Sequence, residues 1–468
     1  MANQTQVLVQ SPFQIVSAVV PTVLLCGAAA MWAAGPLVGL APQVAQAGGI
    51  TFLCMSLWAT GLLPEFVTAL LFFALATLSG VGSTSGVFSG FGSSAFWLVL
   101  SGLIMGAAIS KTGLGARVAR AVARPLSGSY VRLIAGVVGI SYGLAFVMPS
   151  NMGRITLLLP VMLALADEVR LVPGSRGRAG VVLAAGFGTF LLSTSILTAN
   201  VPNLVLAGTV EALYTMPLGY VPYLVLHAPV LGVLKGLLLI GLIGLMFPDH
   251  VRPMARSAAT GGPLTVAEWR LTVLLAATLG LWVTDAWHGL SPAWIGLAAA
   301  VLCLLPGVGF LPPEAFGQLN FRTMFYVAAI LGLASMIRDT GLGTLLGHGL
   351  LGVTPLDPQA PFWNFTALAG LTTVLSLAVP NGAPVLFTPM AAEAAAATGF
   401  GLLTVVMMSV LGFSTVVLPF QAPPILLALE LGAVRLRDAT RLSLVSAALT
   451  LLLLVPVDYL WWHWLGRL

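Results

Sequence analysis

Apolar residues fill most of this chain in long uninterrupted stretches, separated by short polar segments. Three of the longest stretches are Phe13–Ala34, Leu218–Phe247 and Leu442–Trp464. A helix rises about 1.5 Å per residue, so about 20 apolar residues cross a hydrocarbon core about 30 Å thick. The pattern predicts a polytopic membrane protein. The polar, uncharged N-terminus lacks the basic residues of a signal peptide, so we predict Phe13–Ala34 to be a retained first span.

Short motifs recur in the same order in the two halves of the chain, at offsets of 224 to 230 residues. The five pairs are Leu57-Trp58-x-Thr60 with Leu281-Trp282-x-Thr284, Gly80-Val81-Gly82 with Gly307-Val308-Gly309, Thr112-Gly113-Leu114-Gly115 with Thr340-Gly341-Leu342-Gly343, Pro149-Ser150-Asn151 with Pro380-Asn381, and Gly186-Phe187-x-Thr189 with Gly412-Phe413-x-Thr415. Such self-similarity indicates an internal duplication. We predict an N-terminal segment and first span at 1–48, repeat 1 at 49–247, a cytoplasmic linker at 248–270 and repeat 2 at 271–468.

Each predicted repeat contains a segment interrupted at its middle by helix-breaking residues. The segments are 133–166, with the first tip at Pro149–Gly153, and 362–397, with the second tip at Pro380–Pro384. About 15 residues on either side of a tip are too few to cross a bilayer as a helix. Irregular backbone at membrane depth is tolerated only where protein or a cavity surrounds it. We therefore predict two re-entrant hairpins.

Two later spans are interrupted as well, at the first break (Thr198–Asn203) and the second break (Pro419–Pro424). Proline removes an amide donor and clashes with the preceding turn, so these helices should unwind there. Freed amides at a helix N-terminus favour anions, and freed carbonyl groups favour cations. Broken helices in inverted repeats are typical of secondary transporters, with the site where the repeats meet. The alternative is that each break is a kink in a packed helix.

The span count and the charges together predict an orientation. Five crossings in each repeat and the first span make about 11 transmembrane helices in an all-α fold. Because five is odd, the two repeats must be inverted relative to each other. With the N-terminus inside, fifteen of the nineteen Lys and Arg residues fall on the cytoplasmic side, as the positive-inside rule requires. We predict a cytoplasmic N-terminus and an external C-terminus.

Composition excludes several classes of function. The chain is 59% hydrophobic and only 7% charged, whereas soluble domains carry about 25% charged residues. A soluble enzyme or a nucleic-acid binder cannot be built from so few charges, and the net charge of +5 serves to orient the chain. The three cysteines lie apart in apolar segments, without metal-ligand spacing. We find no catalytic motif and predict that the protein is not an enzyme.

Arg154 lies three positions after Asn151, in an apolar arm with no acidic residue from Met148 to Ala166. An intramembrane charge is costly and usually functional. A guanidinium group binds a carboxylate through two parallel hydrogen bonds, so we predict that Arg154 contacts an anionic substrate. The alternative is a structural ion pair with a distant acid. We favour structural roles for four other isolated polar residues of the apolar segments: Lys235, His227, Glu393 and Glu430.

The order of these elements resembles the divalent-anion:sodium symporters (DASS family), which carry C4-dicarboxylates, citrate or sulfate, over residues 51–444. The stretch Leu57–Leu71 looks like the early spans of that family, and Lys111–Leu114 looks like the start of its cytoplasmic arm helix. The family signature is Ser-Asn-Thr at both tips and a Gly-Thr-Pro-Pro-type break in a following helix of each repeat. This chain keeps Ser150 and Asn151 but has Met152 for Thr, and it keeps Asn381, Pro202-Asn203 and Pro423-Pro424.

The resemblance implies a homodimeric carrier in the cell inner membrane that moves a small anion together with sodium. We predict substrate contacts from the tips and breaks, namely Ser150, Asn151, Met152, Gly153, Arg154, Thr198, Asn200, Pro202, Asn381, Gly382, Ala383 and Pro423. For a coupling Na⁺, the candidate ligands lie near Ser150, Asn151, Ala199, Asn200, Asn381 and Gln421. The expected partners are the small anion, the lipid bilayer and a second copy, with no cofactor and no nucleic acid.

The main functional prediction is a secondary active transporter of a small divalent anion, a C4-dicarboxylate or a related carboxylate. Because the first tip lacks the threonine and Arg154 follows it, we expect Arg154 to replace a coupling cation and transport to depend weakly on sodium. One alternative is a sodium-independent exchanger or a proton-coupled carrier, including one for sulfate or another oxyanion. A remote alternative is a membrane-embedded enzyme or an assembly subunit.

Overall fold

A computed structural model describes residues 25–33, 39–123, 129–251, 263–352, 354–379 and 381–468. All regular structure in these ranges is helical, which confirms the predicted all-α fold. Most of the predicted first span lies outside the described residues. Six described helices are long and apolar enough to cross a membrane, or up to seven if one bent pair counts as one span. The predicted count of eleven is therefore not confirmed.

These spanning helices come from both halves of the chain. They are Ser94–Thr112, Arg176–Ser195, Tyr220–Met246, Val266–Val283, Phe321–Asp339 and Leu436–Trp464, and the bent pair is Ala383–Thr398 with Leu402–Ser414, at 119°. Several remaining helices are shorter than a full crossing. The fold thus combines complete spans with helices that stop partway, as the interrupted apolar segments predict.

The order of helices in the first half recurs in the second half. The matching pairs are Pro42–Thr60 with Val266–Val283, Glu65–Ser79 with Pro292–Leu304, Ser94–Thr112 with Phe321–Asp339, Leu114–Ala123 with Leu342–Leu351, Tyr130–Ala145 with Pro361–Ala378, Asn151–Glu168 with Ala383–Thr398, Arg176–Ser195 with Leu402–Ser414, Val201–Tyr214 with Pro423–Leu431, and Tyr220–Met246 with Leu436–Trp464. The boundaries of the repeats and their inverted relationship remain predictions.

The first hairpin consists of Tyr130–Ala145 and Asn151–Glu168, and the second consists of Pro361–Ala378 and Ala383–Thr398. Each helix pair extends one to three residues beyond the predicted segment at either end. In the first hairpin, the residue before Pro149 is disfavoured in helical conformation. Ser150 then starts the next helix, because its hydroxyl accepts a hydrogen bond from the Gly153 amide at 3.1 Å.

The broken spans pack against the first arms of the hairpins. Arg176–Leu191 lies on Tyr130–Ala145, and Leu402–Ser414 lies on Pro361–Ala378. At Gly412, a Cβ atom would come within 2.4 Å of the Thr372 carbonyl group, so the two backbones approach as closely as glycine allows. Small residues at such contacts let membrane helices pack tightly. This packing holds the hairpin tips beside the breaks.

Candidate functional site

A cavity of about 430 Å³ lies where the two hairpin tips meet the two breaks. Its size is typical of a small-molecule site. Seven of the twelve residues predicted to bind substrate line it: Ser150, Asn151, Met152, Gly153, Asn200, Asn381 and Pro423. The sequence places these seven in four separate segments, and the fold brings the four segments to one place.

The other five predicted residues do not line this cavity and are buried: Arg154, Thr198, Pro202, Gly382 and Ala383. The helix after the first break begins at Val201, so Pro202 lies inside its first turn. Proline is accommodated there because the first amides of a helix have no intrahelical partner. Direct substrate contacts of these five residues remain predictions.

Several helices begin at the cavity wall. Asn151, Val201 and Pro423 are the first residues of helices that follow the first tip and the two breaks. Glu65 begins the helix Glu65–Ser79, and Asn320 directly precedes Phe321–Asp339. All five residues line the cavity. Since a helix N-terminus carries about half a positive elementary charge, this arrangement favours a bound anion.

Arg154 lies behind the first tip and is completely buried. Its guanidinium group donates to the carbonyl oxygens of Thr189 at 3.2 Å and Ala199 at 3.1 Å. It also donates to the carbonyl oxygen of Met148 and to Oδ1 of Asn151. No carboxylate of the described residues lies within 4.0 Å of it. Arg154 is therefore a fixed cation held by neutral oxygen atoms.

Arg154 fixes the orientation of the Asn151 amide, which in turn fixes the orientation of the Asn200 amide. A guanidinium group can only donate, so the Asn151 atom that it meets is the oxygen. The Asn151 nitrogen therefore points to Oδ1 of Asn200, at 2.9 Å. The Asn200 nitrogen is left buried without a hydrogen-bond partner among the described residues. Because Asn200 lines the cavity, this nitrogen is a candidate hydrogen-bond donor to an anion.

The second break is held by Gln421. Its side-chain oxygen accepts from the backbone amides of Val417 at 2.8 Å and Leu418 at 2.7 Å. Its nitrogen donates to the carbonyl oxygen of Ser376, in the first arm of the second hairpin, at 3.0 Å. Gln421 therefore links the second break to the second hairpin. Its side-chain oxygen already accepts two hydrogen bonds.

Residues 14–468 match the family model described as the sodium:sulfate symporter transmembrane region. The chain belongs to this family. The match covers nearly the whole chain and confirms the resemblance to the divalent-anion:sodium symporters, and with it the prediction of a membrane-embedded anion transporter rather than an enzyme. Coupling to sodium is suggested only by the name of the family.

Comparison with individual proteins agrees with this membership in the sodium:sulfate symporter family. The L-tartrate/succinate antiporter of Escherichia coli K12 is 26% identical over 396 residues, covering 81% of this chain and 80% of the relative. A membrane protein of Cupriavidus necator is 21% identical over 392 residues, covering 81% and 76%. The crystal structure of the Alcanivorax borkumensis YdaH transporter shares the fold, with a TM-score of 0.55 and 14% identity over 82% of this chain and 87% of that one.

The family name implies a sodium ion, and the residues at the first tip do not fit one. Of the candidate ligands, the Asn151 side-chain oxygen and the Ala199 carbonyl oxygen both accept hydrogen bonds from Arg154. A sodium ion on these oxygens would lie against the guanidinium charge, which would repel it. At the second break, the Gln421 oxygen already accepts two amides. The oxygen atoms of Asn151, Ala199 and Gln421 therefore do not fit a sodium ion.

The cavity of this sodium:sulfate symporter homologue also contains polar residues that sequence analysis missed. They are Glu65, Thr156, Asn320, Thr323 and Tyr326. Asn320 directly precedes Phe321–Asp339, and Thr323 and Tyr326 lie in its first two turns, outside both tips and both breaks. The available signals were Pro64 directly before Glu65 and the asparagine at position 320, because proline and asparagine are both common at helix starts.

Proposed function

We propose that this protein exchanges C4-dicarboxylates or related carboxylates across the membrane without using sodium. The observation that carries the proposal is the convergence of five helix starts on one cavity, with the fixed cation Arg154 behind it. Helix N-termini and a buried guanidinium group together supply the positive potential that a divalent anion requires. The similarity to an L-tartrate/succinate antiporter supports this class of substrate.

Substrate recognition in this proposal uses both halves of the site. Asn200 offers a buried, unpartnered amide nitrogen beside the first tip, and Asn381 lines the cavity from the second tip. A dicarboxylate has one charged group at each end, and an amide nitrogen donates up to two hydrogen bonds to a carboxylate. We therefore place one carboxylate at Asn200 and the other at Asn381.

Exchange follows from the nature of the cation. A sodium ion enters and leaves with the substrate, whereas Arg154 is part of the chain. If the protein reoriented without substrate, the Arg154 charge would cross the membrane interior without a counter-charge, which costs several kcal/mol. A bound anion offsets the charge, so the loaded protein reorients more easily than the empty one. Such a carrier trades one anion for another.

Orientation and assembly remain parts of the proposal. A cytoplasmic N-terminus and an external C-terminus place fifteen of the nineteen Lys and Arg residues on the cytoplasmic side. A homodimer is carried over from the resemblance to the divalent-anion:sodium symporters. The proposed setting is the inner membrane of a bacterial cell, consistent with the bacterial relatives.

Exchange in proteoliposomes tests the proposal. Vesicles containing the purified protein are preloaded with unlabelled succinate, and uptake of radiolabelled succinate is measured in the absence of sodium. We expect rapid uptake in preloaded vesicles and little in empty ones, with tartrate and citrate as competing carboxylates. Uptake that is equal in loaded and empty vesicles would contradict exchange. Competition by sulfate alone would contradict the assignment of the substrate as a dicarboxylate.

A further inference from the structure

Two matching spans carry buried ionisable residues that the proposed exchange does not use. Lys235 lies in Tyr220–Met246 and Asp458 lies in Leu436–Trp464, with exposed fractions of 1% and 0%. Each span also contains a π-helical stretch, at Ala228–Leu234 and Thr450–Leu454, and the two stretches lie against each other. Such stretches are rare and frequent at functional sites. Ionisable residues inside a membrane are costly and usually functional.

Lys235 is bound to the end of a helix rather than to an acid. Its Nζ donates to the carbonyl oxygen of Ser414 at 2.5 Å and lies 3.4 Å from the Ser414 hydroxyl. Within the described part of the chain, no carboxylate comes within 4.0 Å of Nζ. Ser414 is the last residue of Leu402–Ser414. A cation at a helix C-terminus is stabilised by the helix dipole.

Asp458 interacts electrostatically with Lys235, but the two do not form an ion pair. Neither oxygen of the Asp458 carboxyl group makes a hydrogen bond of good geometry among the described residues, although the Trp462 indole N–H, one turn further on, interacts with this carboxyl group. His227 lies close by, because its ring centroid is 5.6 Å from that of Trp462, one turn after Asp458. Both ring nitrogens of His227 also lack partners in the described ranges. A buried carboxylate without a hydrogen bond of good geometry costs several kcal/mol, whereas a protonated carboxyl group costs much less.

We propose that Asp458 and Lys235 form a proton-binding site. In one state the Asp458 carboxyl group holds the proton, and Lys235 keeps the contact with Ser414 that the structure shows. In the other state the proton has left to solvent, and the Asp458 carboxylate pairs with the Lys235 ammonium group. The two states differ by one proton, and no other species is consumed.

The surroundings of the pair contain few other titratable groups. The neighbouring helices Pro361–Ala378 and Leu402–Ser414 contain no Asp, Glu, His, Lys or Arg. The titratable side chains of the surrounding segments are Tyr142 of the first hairpin, Tyr223 and His227 earlier in the span of Lys235, and Tyr459 and His463 in the span of Asp458. Asp458 is the acidic side chain that interacts electrostatically with Lys235.

The pair is connected to the transport cavity through Ser414. The helix that Lys235 caps leads into the second break, and Pro423 on the far side of that break lines the cavity. Loss of the proton would draw Lys235 from Ser414 towards Asp458 and release the end of this helix. We therefore expect exchange to depend on pH through this site, an expectation that rests on the proposed function.

Infrared spectroscopy of the purified, substrate-free protein tests proton binding directly. We expect a carboxyl C=O band of a protonated buried acid, which weakens as the pH is raised. Asp458→Asn should abolish this band, and the matched control Asp438→Asn, which removes a carboxylate paired with Arg435, should leave it unchanged. In Lys235→Met the band should persist to higher pH, because the partner charge is gone. A band that does not titrate, or one that Asp458→Asn leaves in place, would overturn the proposal.

Exchange assays then test the link to transport. The pH profile of succinate exchange should flatten in Asp458→Asn and keep its wild-type shape in Asp438→Asn. A wild-type profile in Asp458→Asn would overturn the link. Should Asp458→Asn fail to fold, the infrared titrations of the wild type and Lys235→Met still decide the question. If the wild type moves no dicarboxylate, the proposed function fails, whereas the infrared result still stands or falls on its own.

Discussion

Asn151 donates from its side-chain nitrogen to the side-chain oxygen of Asn200 over 2.9 Å. This hydrogen bond links Arg154, which fixes the Asn151 oxygen, to the unpartnered Asn200 nitrogen at the cavity. One buried guanidinium group therefore fixes the orientation of two side-chain amides. The order Arg154, Asn151, Asn200 leaves a hydrogen-bond donor at the end of the series.

Asn200→Ala should weaken dicarboxylate binding by about 1.5–3 kcal/mol, the range for hydrogen bonds to charged groups. This corresponds to roughly a 10- to 100-fold increase in Kd. Isothermal titration of the purified protein with succinate measures the change. The matched control is Asn364→Ala, which removes an amide bonded to the Asp357 backbone outside the cavity. Equal losses in both variants would show that Asn200 acts through folding rather than through binding.

Arg154→Lys should slow exchange and lower thermal stability. The guanidinium group donates to four oxygen atoms, and a lysine ammonium group has only three donors. At least one buried oxygen would lose its partner, at a cost of about 1–3 kcal/mol. Exchange rates and a thermal melt report the two effects. The control Arg435→Lys changes an exposed arginine and should alter neither the exchange rate nor the thermal stability. Wild-type exchange in Arg154→Lys would show that the planar guanidinium group is not required.

Asn381→Ala should raise Kd for succinate by a similar factor, because Asn381 is the amide that the second tip presents to the cavity. The loss should be smaller for a ligand with a single carboxylate, such as butyrate, since such a ligand uses only one end of the site. Titrations with succinate and butyrate compare the two. Equal factors for both ligands would argue against one carboxylate at Asn200 and the other at Asn381.

Glu65→Gln should tighten the binding of a divalent anion at neutral pH. Glu65 places a carboxyl group at the wall of a cavity that is otherwise suited to anions, and like charges repel. Removing the charge should lower Kd for succinate. The control is Glu314→Gln, which changes another acid at the first position of a helix, outside the cavity. Unchanged affinity in Glu65→Gln would mean that Glu65 is already neutral or turned away from the ligand.

The sequence predicted the interrupted elements well, because proline, glycine and asparagine in an apolar stretch disrupt helices locally. The helices resume at Asn151 and Ala383, within the predicted tips, and Pro380 of the second tip lies outside the described residues. The partners of Arg154 could not be predicted, since the Thr189 and Ala199 carbonyl groups belong to the backbone and leave no mark on the sequence. Sequence analysis placed the guanidinium group in the substrate site, and the structure places it behind the cavity wall.

Residues from the start of Phe321–Asp339 were missed for a different reason. They lie in a regular span, without the helix-breaking residues that marked the tips and breaks. Tyr326, for example, reads as an ordinary apolar position, yet it lines the cavity. Only the packing of one half of the chain against the other brings this helix to the site.

The sodium dependence of succinate exchange shows whether Arg154 takes the place of a coupling sodium ion. Proteoliposomes with succinate on both sides are assayed with sodium, or with choline in its place, on both sides of the membrane. Because Arg154 holds the oxygens that a sodium ion would need, the initial exchange rate should be the same in both conditions. A rate that falls to background in choline and rises steeply with sodium would contradict sodium-independent exchange.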